Sequence, residues 1–170
     1  MKSVIDSFIY KNYPIKGVNF IDVFPFINSM EKTQFEEFKE FIKSNCEGKM
    51  VGLIESRAFI IGGMLTDMGI KWFPVRKAGK LPGDVIKIPI VKEYGNDTLV
   101  WRKSDLSRGC EVVLFDDILA TGGTLTALSQ SLKSEGMNVV SSLCLIEIEA
   151  LNGRKNLEKI GVSVKTFIHY

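Results

Sequence analysis

The sequence is poor in the residues that usually mark catalytic triads, metal centres and secreted proteins. It has one histidine, His169, near its end, and three cysteines without metal-ligand spacing. Neither a Ser-His-Asp arrangement nor a zinc site is therefore predicted. Three cysteines cannot all pair with one another, and reduced thiols are typical of cytosolic proteins. Because the first ten residues lack the apolar stretch of a signal peptide, we expect a cytoplasmic protein.

Two further absences concern the partners of the chain. No apolar run approaches the length of a membrane helix. The net charge of +2 is too small to indicate binding to nucleic acid or to a membrane surface. With 170 residues, 45% of them hydrophobic and 25% charged, the composition is typical of one soluble globular domain.

The most informative pattern lies in residues 111–133, which read EVVLFDDILATGGTLTALSQSLK. An apolar run typical of a buried strand comes first, and leucines repeat at helical spacing over residues 125–132. Between them lie Asp116, Asp117 and the glycine-rich segment 120–124. A strand that passes to a helix through glycines presents free backbone N–H groups and the positive end of the helix dipole. Such a turn predicts a phosphate site.

The paired carboxylates distinguish this turn from the common nucleotide-binding loops. No lysine follows the glycines as in GxxxxGK[ST], and the GxGxxG pattern is absent. Neighbouring carboxylates can each accept hydrogen bonds from the hydroxyls of a sugar. The alternative is an ordinary turn in which Asp117 caps the helix. We predict a phosphorylated sugar held by Asp116, Asp117, Ala120, Thr121, Gly122, Gly123 and Thr124.

This segment resembles the 5-phosphoribosyl 1-pyrophosphate motif of the type I phosphoribosyltransferases, and the resemblance extends from about residue 13 to residue 157. It implies transfer of a phosphoribosyl group to adenine, giving AMP and pyrophosphate. Mg²⁺ would act through the pyrophosphate, without a direct protein ligand, and the chain would form a homodimer. The implied fold is a single α/β domain with a mostly parallel twisted sheet flanked by helices. A flexible hood hairpin would cover residues 77–101.

A second polar turn follows the apolar run at residues 50–54. It reads Glu55, Ser56, Arg57, and helical spacing follows it over residues 58–68. The simple interpretation is a local ion pair of Glu55 with Arg57. The turn also resembles the pyrophosphate loop of the family, which implies that Ser56 binds the donor and that Arg57 is catalytic. Ala58 replaces the glycine of that loop and would be strained if its φ were positive.

An aromatic residue early in the chain is the candidate for binding the base. Asn19 and Phe20 resemble the base-binding segment of the family, in which the aromatic ring stacks on the purine. The alternative is that Phe20 packs in the core. Ile21 stands where the family usually has arginine, which leaves the identity of the base open.

The segment RKAGKLPG at residues 76–83 has three cations, two glycines and one proline. By itself it would be a solvated turn, but it resembles the family segment that precedes the hood. That resemblance implies that Lys77 and Lys80 face the pyrophosphate, whose charge they would neutralise. In the hairpin that follows, Glu93 would be the acid or base at the purine and Tyr94 would contact substrate. The alternative for Glu93 is an exposed residue at a hairpin end.

The alternation of strands and helices also favours an α/β domain on its own evidence. Two local predictions accompany it. A helix over residues 33–44 would begin with a capping box of Thr33 and Glu36, and Pro74 indicates an edge or a bulge in a strand at residues 72–75. Two other functions remain open, namely the same reaction on hypoxanthine, guanine or xanthine, and a regulator that senses the donor without turnover.

Overall fold

A seven-stranded sheet forms the centre of the protein in the computed structural model, which describes residues 2–13, 16–17, 19–92 and 95–170. The strands are β1 (Ile9–Lys11), β2 (Asn19–Ile21), β3 (Met50–Ile54), β4 (Trp72–Lys77), β5 (Val85–Lys92), β6 (Gly95–Arg102), β7 (Glu111–Leu119), β8 (Asn138–Glu147) and β9 (Ser163–His169). The α-helices are α1 (Lys2–Ile5), α2 (Val23–Asn28), α3 (Lys32–Cys46), α4 (Gly62–Asp67), α5 (Gly123–Ser134) and α6 (Gly153–Glu158). Short 3₁₀ helices lie at Asp6–Phe8, Arg57–Ile61, Lys103–Asp105 and Glu149–Leu151.

The strand order of the large sheet is β5-β6-β4-β3-β7-β8-β9. The five strands from β4 to β9 in this order run parallel, and the β5–β6 hairpin is added antiparallel to the free side of β4. β1 and β2 form a separate two-stranded ribbon. The predicted α/β fold with a mostly parallel sheet is confirmed. This arrangement places the carboxyl ends of β3 and β7 side by side, since the two strands are direct neighbours.

Helices cover both faces of the sheet because its central strands are apolar on both faces. In β7, Val113 and Phe115 pack into one buried cluster, and Val112 and Leu114 pack into the other. Helices α2, α3 and α4 supply apolar residues to the first cluster, and α5 and α6 supply them to the second. Continuous apolar runs are typical of parallel strands that are buried on both sides.

Gly52 lies in the middle of β3, where a side chain would require its neighbours to shift. A Cβ at this position would lie 2.7 Å from Phe73 Cζ and 2.8 Å from Leu114 Cδ2. These side chains come from β4 and β7, the two neighbours of β3. They meet over Gly52, so the strand that leads into the second polar turn depends on a residue without a side chain.

The predicted start of helix α3 is wrong. Thr33 lies inside the helix, whose N-cap is Glu31, and the capping box joins Glu31 to Gln34 instead of Thr33 to Glu36. The backbone N–H of Glu31 donates to Gln34 Oε1 at 3.0 Å. Both pairs have the spacing of a capping box. Glu31 and Gln34 are the pair whose side chains accept from the backbone N–H groups at the start of the helix.

Strands β4, β5 and β6 lie in the region of the predicted hood. β6 pairs with β4 only at Arg76 and Lys77, so Pro74 precedes that ladder, as an edge position would require. The hairpin is present, and β6 begins at Gly95, so residues 95–97 lie in a strand. Residues 93–94 lie outside the described residues. No helix in the described part of the chain has the length and apolar character needed to cross a membrane.

Candidate active site

A cavity of about 470 Å³ opens where β3 and β7 end. Two other depressions, of about 420 and 470 Å³, lie elsewhere and contain none of the predicted site residues. The predicted residues that line the first cavity are Asn19, Phe20, Ser56, Arg57, Lys77, Asp116, Asp117, Ala120 and Thr124. Four segments far apart in sequence therefore converge on one space, and this convergence is why we assign the site here.

The acid pair lies within β7 and not after it, because the strand continues to Leu119. The backbone N–H of Asp117 donates to Asp116 Oδ1 at 2.9 Å. Asp117 is buried, and Asp116 keeps part of its surface open to the cavity. Burial, and after it the charge of Asp117, raise the pKa of Asp116 well above its usual range. The alternative role of Asp117 as a helix cap is wrong, since α5 begins at Gly123 after Gly122 as N-cap.

Arg57 connects the acid pair with the candidate base-binding residue. Its Nε lies 2.8 Å from Asp117 Oδ2, its Nη1 donates to the carbonyl of Ile21 at 3.3 Å, and its Cζ lies 5.2 Å from the centroid of the Phe20 ring. The contact with Asp117 has the distance of an ion pair but not the alignment of a hydrogen bond. Asp117 Oδ2 is thus a buried oxygen that receives no hydrogen bond from the described residues.

Glu55 does not pair with Arg57, so the simple interpretation of the second turn is wrong. It accepts from the backbone N–H of Lys77 at 2.9 Å, from Lys80 Nζ at 3.2 Å and from Arg76 Nε at 3.3 Å. Burial opposes ionisation of Glu55, but these donors outweigh it and hold its pKa below the ordinary value. Lys80 is therefore held on Glu55, outside the cavity lining. Lys77 lines the cavity, and its Nζ lies 3.1 Å from Asp97 Oδ2.

The glycine-rich turn has the geometry expected of an anion cradle. Gly122 has a φ of +76°, which favours glycine, and α5 starts at the next residue. The carbonyl of Gly122 accepts from Thr126 N at 2.9 Å, so the N–H groups that precede Thr126 are not used by helical bonds. Ala120 and Thr124 line the cavity, whereas Thr121, Gly122 and Gly123 do not.

The sequence is similar to known proteins over most of its length. A family model described as a phosphoribosyl transferase domain matches residues 54–169. An adenine phosphoribosyltransferase from Rhizobium meliloti is 34% identical over 162 residues, which are 94% of this chain and 89% of that protein. The chain belongs to the adenine phosphoribosyltransferase family.

Solved structures of family members have the same fold. The adenine phosphoribosyltransferase of Thermoanaerobacter pseudethanolicus has a TM-score of 0.84 and 31% identity, with 100% of both chains covered. The Saccharomyces cerevisiae enzyme, solved with an imino-altritol bisphosphate and adenine, has a TM-score of 0.78 and 29% identity. That alignment covers 98% of this chain and 99% of the other.

The two departures from the family pattern are accommodated without strain. Ala58 is fully buried in the 3₁₀ helix Arg57–Ile61, and its φ is not positive. Ile21 is buried in β2 opposite Ile9, and its carbonyl serves Arg57. The side chain of Ile21 therefore packs in the core, and its backbone carbonyl accepts the hydrogen bond from Arg57.

Several lining residues were not predicted. Ile118, Ile148 and Leu151 give the cavity an apolar wall, and Asp97 faces Lys77. Ile148 follows directly after β8, so the position of strand ends in a parallel sheet was a signal for it. Glu93 and Tyr94 lie outside the described residues, and their roles stay predictions.

Proposed function

We propose that this protein transfers the phosphoribosyl group of 5-phosphoribosyl 1-pyrophosphate to adenine, giving AMP and pyrophosphate. The observation that carries the proposal is the convergence of an acid pair, a glycine-rich helix start, an arginine and an aromatic ring on one cavity. Each group suits one part of the donor or the acceptor. The names and bound adenine of the family members support the choice of base.

The acid pair would hold the two ribose hydroxyls. Asp117 Oδ2 is buried without a hydrogen bond from the described residues, and a buried acceptor left unpaired is costly. A hydroxyl donor from the sugar would satisfy it. The raised pKa of Asp116 favours the protonated carboxyl more than in a free aspartate, which reduces repulsion between the two neighbours.

The 5′-phosphate would lie against the start of α5. The N–H groups of Gly123 and Thr124 belong to the first turn of a 12-residue helix and have no helical acceptor. The helix dipole adds to their attraction for an anion. The hydroxyls of Thr121 and Thr124 can add donors. Gly122 holds the turn in its left-handed conformation.

The base would stack on Phe20, and the pyrophosphate would face residues 56–57. In the described structure Arg57 occupies the space between Phe20 and Asp117. A guanidinium binds phosphate through several N–H groups, so the donor pyrophosphate would replace Asp117 as its partner. Glu55 holds Lys80 beside this turn, and Lys77 reaches the cavity from β4. These cations would stabilise the leaving group while the transferred sugar gains positive charge.

The same residues fit a magnesium ion held mainly by the substrate. The described residues contain no group of three or more His, Cys, Asp or Glu that could hold a metal, but Asp117 offers an oxygen without a hydrogen bond. Magnesium in such sites retains waters and binds one or two carboxylates together with substrate phosphates. Bound Mg²⁺ would supply charge neutralisation on the pyrophosphate.

Glu93 is proposed to manage the proton on the base, a role that rests on the resemblance of residues 93–95 to the family. Changing Glu93→Gln should lower kcat by about a hundredfold, as expected for loss of a general acid or base, and leave the affinity for the donor nearly unchanged. Steady-state kinetics and calorimetry would measure the two effects. Glu111→Gln, at the exposed start of β7, is the matched control. An unchanged kcat in Glu93→Gln would remove this residue from the mechanism.

The deciding experiment is a panel of bases assayed for pyrophosphate release with Mg²⁺ present. We expect turnover with adenine and little with hypoxanthine, guanine or xanthine. Preference for another base would change the substrate and keep the reaction. Binding of the donor by calorimetry without product from any base would favour a sensor. Light scattering would test the proposed homodimer, and fractionation of cells would test the proposed cytoplasmic location.

A further inference from the structure

The segment after β8 packs directly against the back of the glycine-rich turn. Gly153, the first residue of α6, is buried, and a Cβ placed on it would overlap the carbonyl oxygen of Ala120. The same Cβ would lie 2.8 Å from Leu119 Cδ1 and 3.0 Å from Gly122 N. Conversely, a Cβ on Gly122 would lie 2.8 Å from the Gly153 carbonyl oxygen. Two glycines from distant parts of the chain therefore touch through their backbones.

A hydrogen bond joins the same two segments one turn further along. Asn156 Nδ2 donates to the carbonyl oxygen of Thr121 at 3.0 Å. Thr121 lies between the two loop residues that contact Gly153. The carbonyl of Thr121 is thus held by a hydrogen bond and that of Ala120 lies against Gly153. Both contacts come from outside the cavity lining and limit how the peptide planes of the turn can rotate.

An ion pair anchors this supporting segment to the sheet. Both oxygens of Glu147, at the end of β8, accept from Arg154, and Arg154 Nη1 also donates to the carbonyl of Val164 at 2.6 Å. Thr166 in β9 donates to Glu147 Oε2 at 2.9 Å. Since Arg154 directly follows Gly153, the contact with the turn is held by two strands and not by α6 alone.

We propose that Gly153 and Asn156 are positioning residues for the phosphate cradle. They touch the backbone of the turn from the side opposite the substrate and hold its N–H groups in the direction that the 5′-phosphate requires. This inference rests on the proposed function only for the identity of the anion. A misplacement of about 1 Å in such a site can cost about a hundredfold in rate.

The test measures binding of ribose 5-phosphate by calorimetry in the full-length chain, with three variants. Gly153→Ala should raise Kd about tenfold or more, because the Ala120 carbonyl must move. Asn156→Ala should raise Kd about threefold, as expected for loss of one exposed hydrogen bond. Lys155→Ala, an exposed position on the same helix, should leave Kd unchanged.

Kinetics and melting temperatures separate positioning from general stability. Asn156→Ala should raise KM for the donor. Its KM for adenine and its melting temperature should equal those of Lys155→Ala. If Gly153→Ala does not fold, Asn156→Ala decides the question. Equal Kd for ribose 5-phosphate in Asn156→Ala and Lys155→Ala would overturn the proposal. Parallel losses of donor affinity, adenine affinity and melting temperature would also overturn it.

The outcomes distinguish this inference from the proposed reaction. Wild-type protein that binds ribose 5-phosphate, with the expected changes in the variants, would support the inference even if no base were turned over. Normal turnover of adenine with unaltered donor KM in both variants would overturn the inference and leave the reaction intact. Absence of ribose 5-phosphate binding by the wild type would overturn the inference, and the panel of bases would still decide the reaction.

Discussion

Two buried carboxylates in neighbouring strands differ in how many hydrogen bonds they accept. Asp117 in β7 is 7% exposed and Glu147 in β8 is 4% exposed, and each lies beside an arginine. Glu147 accepts hydrogen bonds on both oxygens from Arg154 and also from Thr166. Asp117 Oδ2 receives no hydrogen bond from the described residues.

We infer from this difference that Glu147 holds the structure together and that Asp117, which also faces the cavity, is available to a ligand. Natural proteins rarely leave a buried polar atom unpaired, so an unpaired one calls for an explanation. Glu147 has its partners within the fold and is expected to contribute to stability. Asp117 has an ion-pair contact with Arg57, but its Oδ2 accepts no hydrogen bond from the described residues, and the proposed sugar hydroxyl would donate one. Burial and an arginine neighbour alone do not distinguish the two roles.

The largest expected effect is on the Asp117 side. Asp117→Asn keeps the shape and removes the charge, and it should lower kcat/KM for the donor by about a hundredfold. The free energy of unfolding should change by only about 1 kcal/mol, because the loss of the buried pair with Arg57 is offset by the loss of repulsion between Asp117 and Asp116. Kinetics and denaturant unfolding would measure these effects, with Asp67→Asn, an exposed residue of α4, as the control. If Asp117→Asn lost stability but kept its kcat/KM, Asp117 would have the same structural role as Glu147.

Glu147→Gln should have the opposite profile. Removing one charge of a buried pair leaves Arg154 uncompensated, so we expect a loss of about 2 kcal/mol in the free energy of unfolding. The kcat/KM should fall by less than about tenfold, through Arg154 and the turn it supports. The control is Glu149→Gln, whose side chain is exposed and also lies near His169. Glu147→Gln as stable as Glu149→Gln would contradict a structural role.

Phe20→Leu tests the aromatic contact on the ligand side. Leucine keeps the apolar volume but removes the flat ring, so KM for adenine should rise about tenfold, given about 1–3 kcal/mol for stacking of a base on an aromatic ring. KM for the donor should change little. Tyr13, which meets Phe20 edge-to-face at 5.4 Å, provides the control Tyr13→Leu. Equal effects on both substrates would indicate that Phe20 is a core residue only.

The smallest expected effect is in the pH dependence of stability. Glu147 and Asp116 should change the free energy of unfolding with pH in opposite directions. Burial raises and hydrogen bonds from Arg154 and Thr166 lower the pKa of Glu147, with a net lowering. Its contribution is therefore complete above the ordinary value of about 4.3 and is lost as pH falls through the lowered pKa. The raised pKa of Asp116 gives a contribution that is complete below about 3.9 and is lost as pH rises through the raised pKa.

Denaturant unfolding between about pH 3 and pH 7 would show these slopes. The deficit of Glu147→Gln relative to wild type should shrink as the pH falls below about 4. Asp116→Asn should gain stability relative to wild type as the pH rises above about 4, because it removes the penalty for ionising a buried acid beside Asp117. Parallel curves for all three proteins would show that neither group is perturbed by folding.

The sequence was sufficient to predict which segments converge, but not how their charges pair. β3 was predicted at its observed bounds, and the parallel arrangement brings Arg57 and Asp117 to one edge because strand ends share that edge. Spacing does not encode which cation meets which carboxylate, so the pairing of Glu55 with residues 76–80 was missed. Gly153 was not distinguished from a turn glycine, since its partner is more than thirty residues away in sequence.

Gly52, in the middle of β3, limits which substitutions this protein can accept. A side chain at Gly52 would require Phe73 of β4 and Leu114 of β7 to shift. Gly52 belongs to β3, and Glu55 and Arg57 follow the end of that strand. A library of variants scored only by distance from the ligand would treat Gly52 as a tolerant interior position. We expect instead that substitutions at Gly52 lower the activity by shifting β3 and the turn that follows it. Every residue that contacts the substrate would be unchanged in such a variant.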